Sequence, residues 1–260
     1  MPTLEVLRVF TGDDGAGGNL LGVFGAGHGL AEHQLQAVAA DLGFSETVFV
    51  VDAARGELRI FTPAVELPLA GHPLVGAGRL LGVDVLRPPA GEIPTWREGD
   101  STWIRADPER APEFERIQLD SPEAVDAHPG ADAGHVQVWA WEDEAAGRVR
   151  TRVFPVAMGI AEDEATGAAA LRLGAELGRP LTLRQGVGSR IDVRPGPDGT
   201  IEIGGRVDRV ETRDYAPRSP TTSANAARST VARSRPPSRS SPSTLSSVPS
   251  GRSTSTRVPR

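Results

Sequence analysis

The sequence predicts an α+β protein of two similar halves, each a curved β-sheet wrapped around a helix of small residues. One observation is that strand-like and helix-like segments alternate along the chain up to about residue 203. A second is an internal repeat. Arg59-Ile60-Phe61 leads to Glu66, then five residues later to Gly71 and a helix; Arg152-Val153-Phe154 leads likewise to Glu162, Gly167 and a helix, with three extra residues before its Glu. A third is that both helices open on small residues, Gly76-Ala77-Gly78 and Ala168-Ala169-Ala170, which permit close approach to a sheet. The halves are taken as 1–95 and 96–216.

The elements follow in order. Leu4–Phe10 reads as a strand and the glycine-rich Gly12–Asn19 as a loop. Ala31–Leu42 places Leu35, Val38, Ala39 and Leu42 on one helical face, and Gly43 stops it. Thr47–Val51 and Leu58–Thr62 are rich in β-branched and aromatic residues and read as strands. The first small-residue helix is predicted from about Pro73, which suits a first helical turn, to Gly82. Residues 86–130 hold many Pro, Gly and charged residues and read as short strands with long connections. His135–Trp141 and Val149–Phe154 are predicted strands, and Thr166–Leu177 a helix closed by Gly178 and Pro180. Ile191–Val193 and Thr200–Ile203 form a predicted hairpin around Pro197-Asp198-Gly199.

Composition narrows the chemistry. With 38% hydrophobic and 24% charged residues the chain reads as a soluble globular protein. No apolar run reaches the ~20 residues that cross a bilayer, and the start lacks the basic and apolar regions of a secretory signal. There is no Cys, and all 28 basic residues are Arg. Thiolate nucleophiles, cysteine–zinc sites, Schiff bases and a P-loop lysine are therefore excluded, which leaves carboxylates, His, hydroxyls and backbone groups. The net charge of −6 is uneven: residues 217–260 carry eight Arg and no acid, leaving −14 on residues 1–216. An acidic body argues against nucleic acid or a membrane as partner. The tail, with 19 Ser or Thr and seven Pro among its 44 residues, is read as disordered. It is either an Arg-Ser arm or an appendix translated out of frame.

Three polar clusters are candidates. Glu46 follows Gly43-Phe44-Ser45 at the start of an apolar strand; it is either a surface residue at a sheet edge or a desolvated carboxylate that shuttles a proton. His72 stands at a helix start, as a cap, a packed core residue or a catalyst. Asp163 and Thr166 precede Gly167 and read either as helix caps or as site residues. Two helix starts facing each other would bind the carboxylate of a substrate. Gly25-Ala26-Gly27-His28-Gly29 lacks the context of a dinucleotide site, no spacing resembles a metal site, and no serine sits in a nucleophile elbow.

Taken in order, Phe10-Thr11 with Gly17-Gly18-Asn19, Phe44-Ser45-Glu46-Thr47-Val48-Phe49, Phe61-Thr62-Pro63 with Glu66-Leu67-Pro68 and Gly71-His72, Glu162-Asp163 with Ala165-Thr166-Gly167, and Gln185-Gly186 with Ile201-Glu202-Ile203-Gly204-Gly205 make a specific set. Over roughly residues 4–212 the chain resembles the PhzF-like isomerases of phenazine biosynthesis. The resemblance implies the diaminopimelate-epimerase-like fold, two pseudo-symmetric halves, each a curved mixed β-sheet around a central helix, with the site between them. It implies Glu46 as the acid/base that moves a proton between substrate carbons, with His72 and Asp163 as its polar partners. It implies Asn19, Gly71 and Gly167 as contacts to the substrate carboxylate, with Thr166 and Ala168 beside them. Ala168 stands where the family usually has Ser, Ala70 where it often has Cys and Glu164 where it has Pro; the segment after Gln185-Gly186 is short, with Ser189-Arg190 a partial replacement.

The expectation is a cytoplasmic, homodimeric isomerase of a small carboxylate-bearing metabolite, acting without cofactor or metal. The alternatives are a carboxylate-based amino-acid epimerase or racemase, and a homologue that binds a small molecule without turning it over.

Overall fold

The computed structural model describes residues 1–216; the tail from residue 217, read as disordered, lies outside the described residues. The chain opens with β1 (Thr3–Thr11) and β2 (Gly17–Phe24), then α1 (Glu32–Leu42), β3 (Glu46–Asp52), β4 (Glu57–Phe61), β5 (Glu66–Leu67) and α2 (Gly71–Leu81). Short strands β6 (Val85–Leu86), β7 (Ile93–Glu98) and β8 (Ser101–Ala106) follow. The second copy of the pattern runs through β9 (Glu115–Gln118), α3 (Pro122–Asp126), β10 (Val136–Asp143), β11 (Arg148–Phe154) and α4 (Gly167–Leu177). It closes with β12 (Leu181–Gln185), β13 (Ser189–Pro195) and β14 (Ile201–Asp214). The strands form one mixed sheet in the order β5-β4-β3-β2-β1-β14-β13-β12-β11-β10-β9, with the β7–β8 hairpin joined through β8 to β14. No described helix is long and apolar enough to cross a membrane.

The repeat performs the same structural task twice. In each copy the Arg of Arg-apolar-Phe forks both carboxylate oxygens of the repeat's Glu: Arg59 to Glu66 at 2.7 Å for both bonds, Arg152 to Glu162 at 2.8 and 2.7 Å. Each guanidinium also lies over the Phe two residues on, 5.1 Å from the Phe61 ring and 5.0 Å from that of Phe154. Paired bonds of this kind fix orientation as well as distance. They set the same register in both halves, Ile60 opposite Leu67 and Val153 opposite Asp163, four residues before each helix glycine.

Both central helices are 11 residues long and end at glycines in the left-handed conformation, Gly82 and Gly178. Their equivalent positions Gly78 and Gly174 explain the small-residue composition. A Cβ on Gly78 would lie 2.4 Å from Thr95 Oγ1, and one on Gly174 would lie 2.5 Å from Val193 Cγ1. Both neighbours are buried, and Thr95 is held by its bond to the Trp103 carbonyl at 2.8 Å. The core, including Leu74, Val75, Leu171 and Leu173, lies between these helices and the strands that enclose them.

Some expectations need correction. Gly17–Asn19, read as loop, opens β2: Gly17 and Gly18 have φ of 65° and 80°, and a Cβ on Gly17 would meet the Ser189 backbone N at 2.2 Å. Those glycines serve close approach of two backbones. Phe10 is buried with φ 69°, where the β1–β14 register shifts, and its ring covers Gly205. The first small-residue helix starts at Gly71 and has Pro73 as its third residue. Strand β12 was not foreseen, because five residues between Pro180 and Gly186 carry too little periodicity. The hairpin turn at Pro197–Gly199 is present, but β14 runs on to Asp214 through charged residues and pairs there with β1. The 95/96 boundary falls within β7, whose Thr95 packs on α2.

Alanine is the better helix former by about 1 kcal/mol, yet Gly78→Ala and Gly174→Ala are each expected to destabilise the protein by ~1–3 kcal/mol through overpacking. Denaturant melts of the two variants check this; stabilisation of either would show that the sheet yields at that point.

Candidate active site

The two central helices begin against each other. A Cβ on Gly71 would stand 2.7 Å from Gly167 Cα, and one on Gly167 would stand 2.7 Å from Gly71 Cα, so only glycine fits on either side. The first N–H groups of each helix have no partner within the helix, and both positive ends face one space. That space is a cavity of about 250 Å³. Glu46, His72 and Asp163 line it with Gly71, Thr166, Gly167 and Ala168, and much of the remaining wall is apolar, including Leu67, Leu69, Phe114, Met158 and Ile160.

Glu46 is the first residue of β3, placed by the left-handed Gly43 (φ 68°) that ends α1. Its side chain is only 13% exposed, which removes the reading as a surface residue. Burial pushes its carboxyl up to about 7, against a smaller opposing effect of the Ser45 hydroxyl. His72 is the second residue of α2 and is buried; burial lowers its imidazole to about 4, so the ring is neutral near pH 7. Glu46 Oε2 and His72 Nε2 lie 3.3 Å apart, but out of hydrogen-bonding alignment, and neither has another partner.

Asp163 is also buried, yet fully held. Its two oxygens accept from Asn19 Nδ2 and Thr166 Oγ1, both at 2.6 Å. Burial and the nearby Glu46 raise its carboxyl to about 6, while His72, Thr166 and Asn19 act in the opposite direction. Behind it, Ser45 Oγ donates to Asn19 Oδ1 at 2.9 Å, and Gln185 Nε2 donates to Thr166 Oγ1 at 2.9 Å and to the Asp163 carbonyl at 2.7 Å. Thr166 takes the N-cap position but does not cap: its hydroxyl serves Asp163, and its N–H is taken by Gln185 Oε1 at 3.1 Å.

Seven of the eight expected site residues thus meet at one cavity. Asn19 stands behind Asp163, outside the lining, with both ends of its amide engaged by the protein. The sequence motifs include Ser45 and Gln185 but give them no role; each acts through a partner far along the chain, which spacing does not reveal. Glu164 accepts from the Val187 N–H at 3.0 Å and Ser189 Oγ at 2.8 Å, so it latches the short loop after Gly186. Among the described residues, no group of three or more His, Asp or Glu side chains converges to hold a metal ion.

Known proteins resemble this chain in sequence and in fold. The family model for phenazine biosynthesis-like proteins (PhzC–PhzF) matches residues 7–123. The trans-2,3-dihydro-3-hydroxyanthranilate isomerase of Pseudomonas fluorescens is 30% identical over 224 residues, spanning 65% of this chain and 81% of that one. An uncharacterized isomerase of Pasteurella multocida is 49% identical over 69 residues, 25% of this chain and 24% of that one. Among solved structures, a phenazine biosynthesis protein of the PhzF family from Bacillus anthracis superimposes with a TM-score of 0.62 at 21% identity, over 83% of this chain and 99% of that one. The two-half α+β fold around paired helices is therefore the one expected, and the chain belongs to the phenazine biosynthesis-like PhzC–PhzF family.

Proposed function

We propose that this protein is an isomerase that moves a proton between carbons of a small carboxylate-bearing substrate, with Glu46 as the proton carrier. The observation that carries the reading is Glu46 itself: a desolvated carboxyl poised at about 7, facing neutral His72 in a largely apolar cavity. A group with its proton affinity near the working pH is populated in both forms and can take and return a proton efficiently. The substrate carboxylate would lie against the N–H groups at Gly71 and Gly167. Glu46 would remove a proton from carbon, the charge would spread into a conjugated enolate stabilised by those dipoles, and the same carboxyl would return the proton to a second carbon. Asp163, held by Asn19 and Thr166, fixes the opposite wall. By similarity to the Pseudomonas fluorescens relative, trans-2,3-dihydro-3-hydroxyanthranilate is the first substrate to assay.

One base, not two, is what the repeat supports. Inversion at a single carbon needs a proton carrier on each face. The positions before the paired glycines are Ala70, which carries none, and Thr166, whose hydroxyl is committed to Asp163 and Gln185. The register places His135 at the counterpart of Glu46, outside the cavity lining. Proton migration is therefore favoured over epimerisation.

Glu46→Gln is expected to reduce solvent-deuterium incorporation into substrate by about 10²–10⁴-fold, read by mass spectrometry; undiminished incorporation would remove Glu46 from the role, and tight binding with no exchange in the wild type would leave a binding protein. In the wild type, kcat/KM should rise with pH through about 7 as Glu46 ionises, if ionised Glu46 acts first.

The same carboxyl links stability to pH. Its folded affinity is raised above the ordinary value of 4.5 to about 7, so the stability it contributes is present below 4.5 and is lost as pH climbs through 7. Glu46→Gln cannot ionise and escapes that loss. Relative to wild type it should gain up to about 3 kcal/mol between pH 4.5 and 8, measured by paired denaturant melts; a difference independent of pH would contradict a desolvated Glu46.

A further inference from the structure

The cavity wall formed by residues 109–114 has no strand to hold it. Register through the repeat equates Phe114 with Leu21, and so residues 109–113 with 16–20. In the first half that stretch belongs to β2, where Gly17 and Asn19 pair with Thr11 and Val9 of β1. In the second half, among the described residues, β9 starts only at Glu115 and pairs with β10 alone. The backbone carbonyls of 109–113 need other donors, since buried carbonyls left unpaired are costly.

A single side chain supplies donors to two of them. Arg172, on α4, is only 8% exposed. Its Nε and Nη2 donate to the Ala111 carbonyl at 3.2 and 2.7 Å, and Nη2 also reaches the Glu109 carbonyl at 3.3 Å. Nη1 lies 2.9 Å from Glu109 Oε1, and Nη2 lies 2.9 Å from Glu113 Oε1. The equivalent residue of α2 is Gly76, which instead makes room for Leu21 and Val9. A guanidinium thus replaces a strand ladder. The segment it holds places Arg110, Ala111, Pro112 and Phe114 in the cavity lining, and Phe114 packs on Ala168 and Ala169 at the start of α4. Other side-chain ties lie at its ends: Arg110 Nη1 donates to the Ala90 carbonyl at 2.9 Å, Arg116 Nη1 to the Phe114 carbonyl at 3.3 Å, and Asp107 Oδ1 accepts from the Glu109 N–H at 2.9 Å.

We propose that Arg172 is a positioning residue of the active site: it fixes the 109–114 wall against α4 and so keeps the space around Glu46 and His72 closed to water. As a consequence for catalysis, which rests on the isomerase reading above, the wall maintains the desolvation that keeps Glu46 poised. The guanidinium touches no reacting atom. Its planar fork spans two carbonyls and two carboxylates at once, which a lysine ammonium does not.

The test is amide hydrogen exchange on three full-length variants, Arg172→Met, Arg172→Lys and the double Glu109→Ala/Glu113→Ala, with pH–rate profiles of each. Arg172→Met is expected to raise exchange in 110–115 roughly tenfold or more while the amides of α4 hold. Its KM should rise more than kcat falls, and the midpoint of its pH–rate profile should move below that of the wild type as water reaches Glu46. Arg172→Lys, which keeps the charge and loses the fork, should also exchange faster in 110–115; this arm stands if the Met variant does not fold. The double variant keeps the guanidinium and its bonds to the Ala111 and Glu109 carbonyls and should lose less protection than Arg172→Lys. Wild-type exchange at 110–115 in Arg172→Lys, or faster exchange in the double variant than in Arg172→Lys, overturns the assignment, as does a loosened wall with KM and midpoint unchanged. Exchange needs no turnover. If it responds as expected and the wild type moves no proton, the wall assignment stands and the isomerase reading falls.

Discussion

The contact between Gly71 and Gly167 is the constraint from which the rest of the architecture follows. With each Cα only 2.7 Å from where a Cβ on the other would stand, the two helix starts can meet only if both are glycine and both arrive at a fixed height and angle. The Arg59–Glu66 and Arg152–Glu162 forks supply that height, locking the strand that precedes each helix. Gly78 and Gly174 supply the angle, seating each helix close on its sheet. What emerges is a small space with two positive dipole ends at its floor, lined on its sides by residues that the same strands deliver.

Within that space two carboxyls share a burial cost and resolve it differently. Asp163 is surrounded by donors, and its amide and hydroxyl partners are themselves fixed by Ser45 and Gln185. Glu46 has a misaligned imidazole at 3.3 Å and one oxygen without a partner. Left unsatisfied, it stays protonated further up the pH scale. Neutral His72 adds no charge that would lower it again.

Much of this was legible in the sequence, because the determinants were local or repeated. The Arg-apolar-Phe to Glu to Gly pattern announced two equivalent helices, and the ordered motifs put Glu46, His72 and Asp163 at one place. Features set by distant partners were not legible. Gly17-Gly18 looks like loop composition, and only the Ser189 backbone beside it shows why a strand there needs glycine. Asn19 is expected from the resemblance to contact the substrate, and nothing nearby in the chain shows that its amide also bonds Asp163 and Ser45. Arg172 passed unnoticed within an apolar helix, since its partners lie some sixty residues earlier.

The two halves share a scaffold and divide the labour. Position by position, the repeat sets Leu67 against Asp163, His72 against Ala168, Glu46 against His135 and Gly76 against Arg172. The first half carries the Glu46–His72 pair. The second carries the anchored carboxylate, the missing hydroxyl at Ala168 and the arginine that stands in for a strand. Ala168 lines the cavity and packs on Phe114, while Glu164 latches the Val187–Ser189 loop. Three of the four departures from the usual family pattern, Ala168, Glu164 and the short segment after Gly186, therefore fall in the second half, while in the first half Ala70 departs immediately before the paired Gly71 and Glu46 and His72 stay face to face across the cavity.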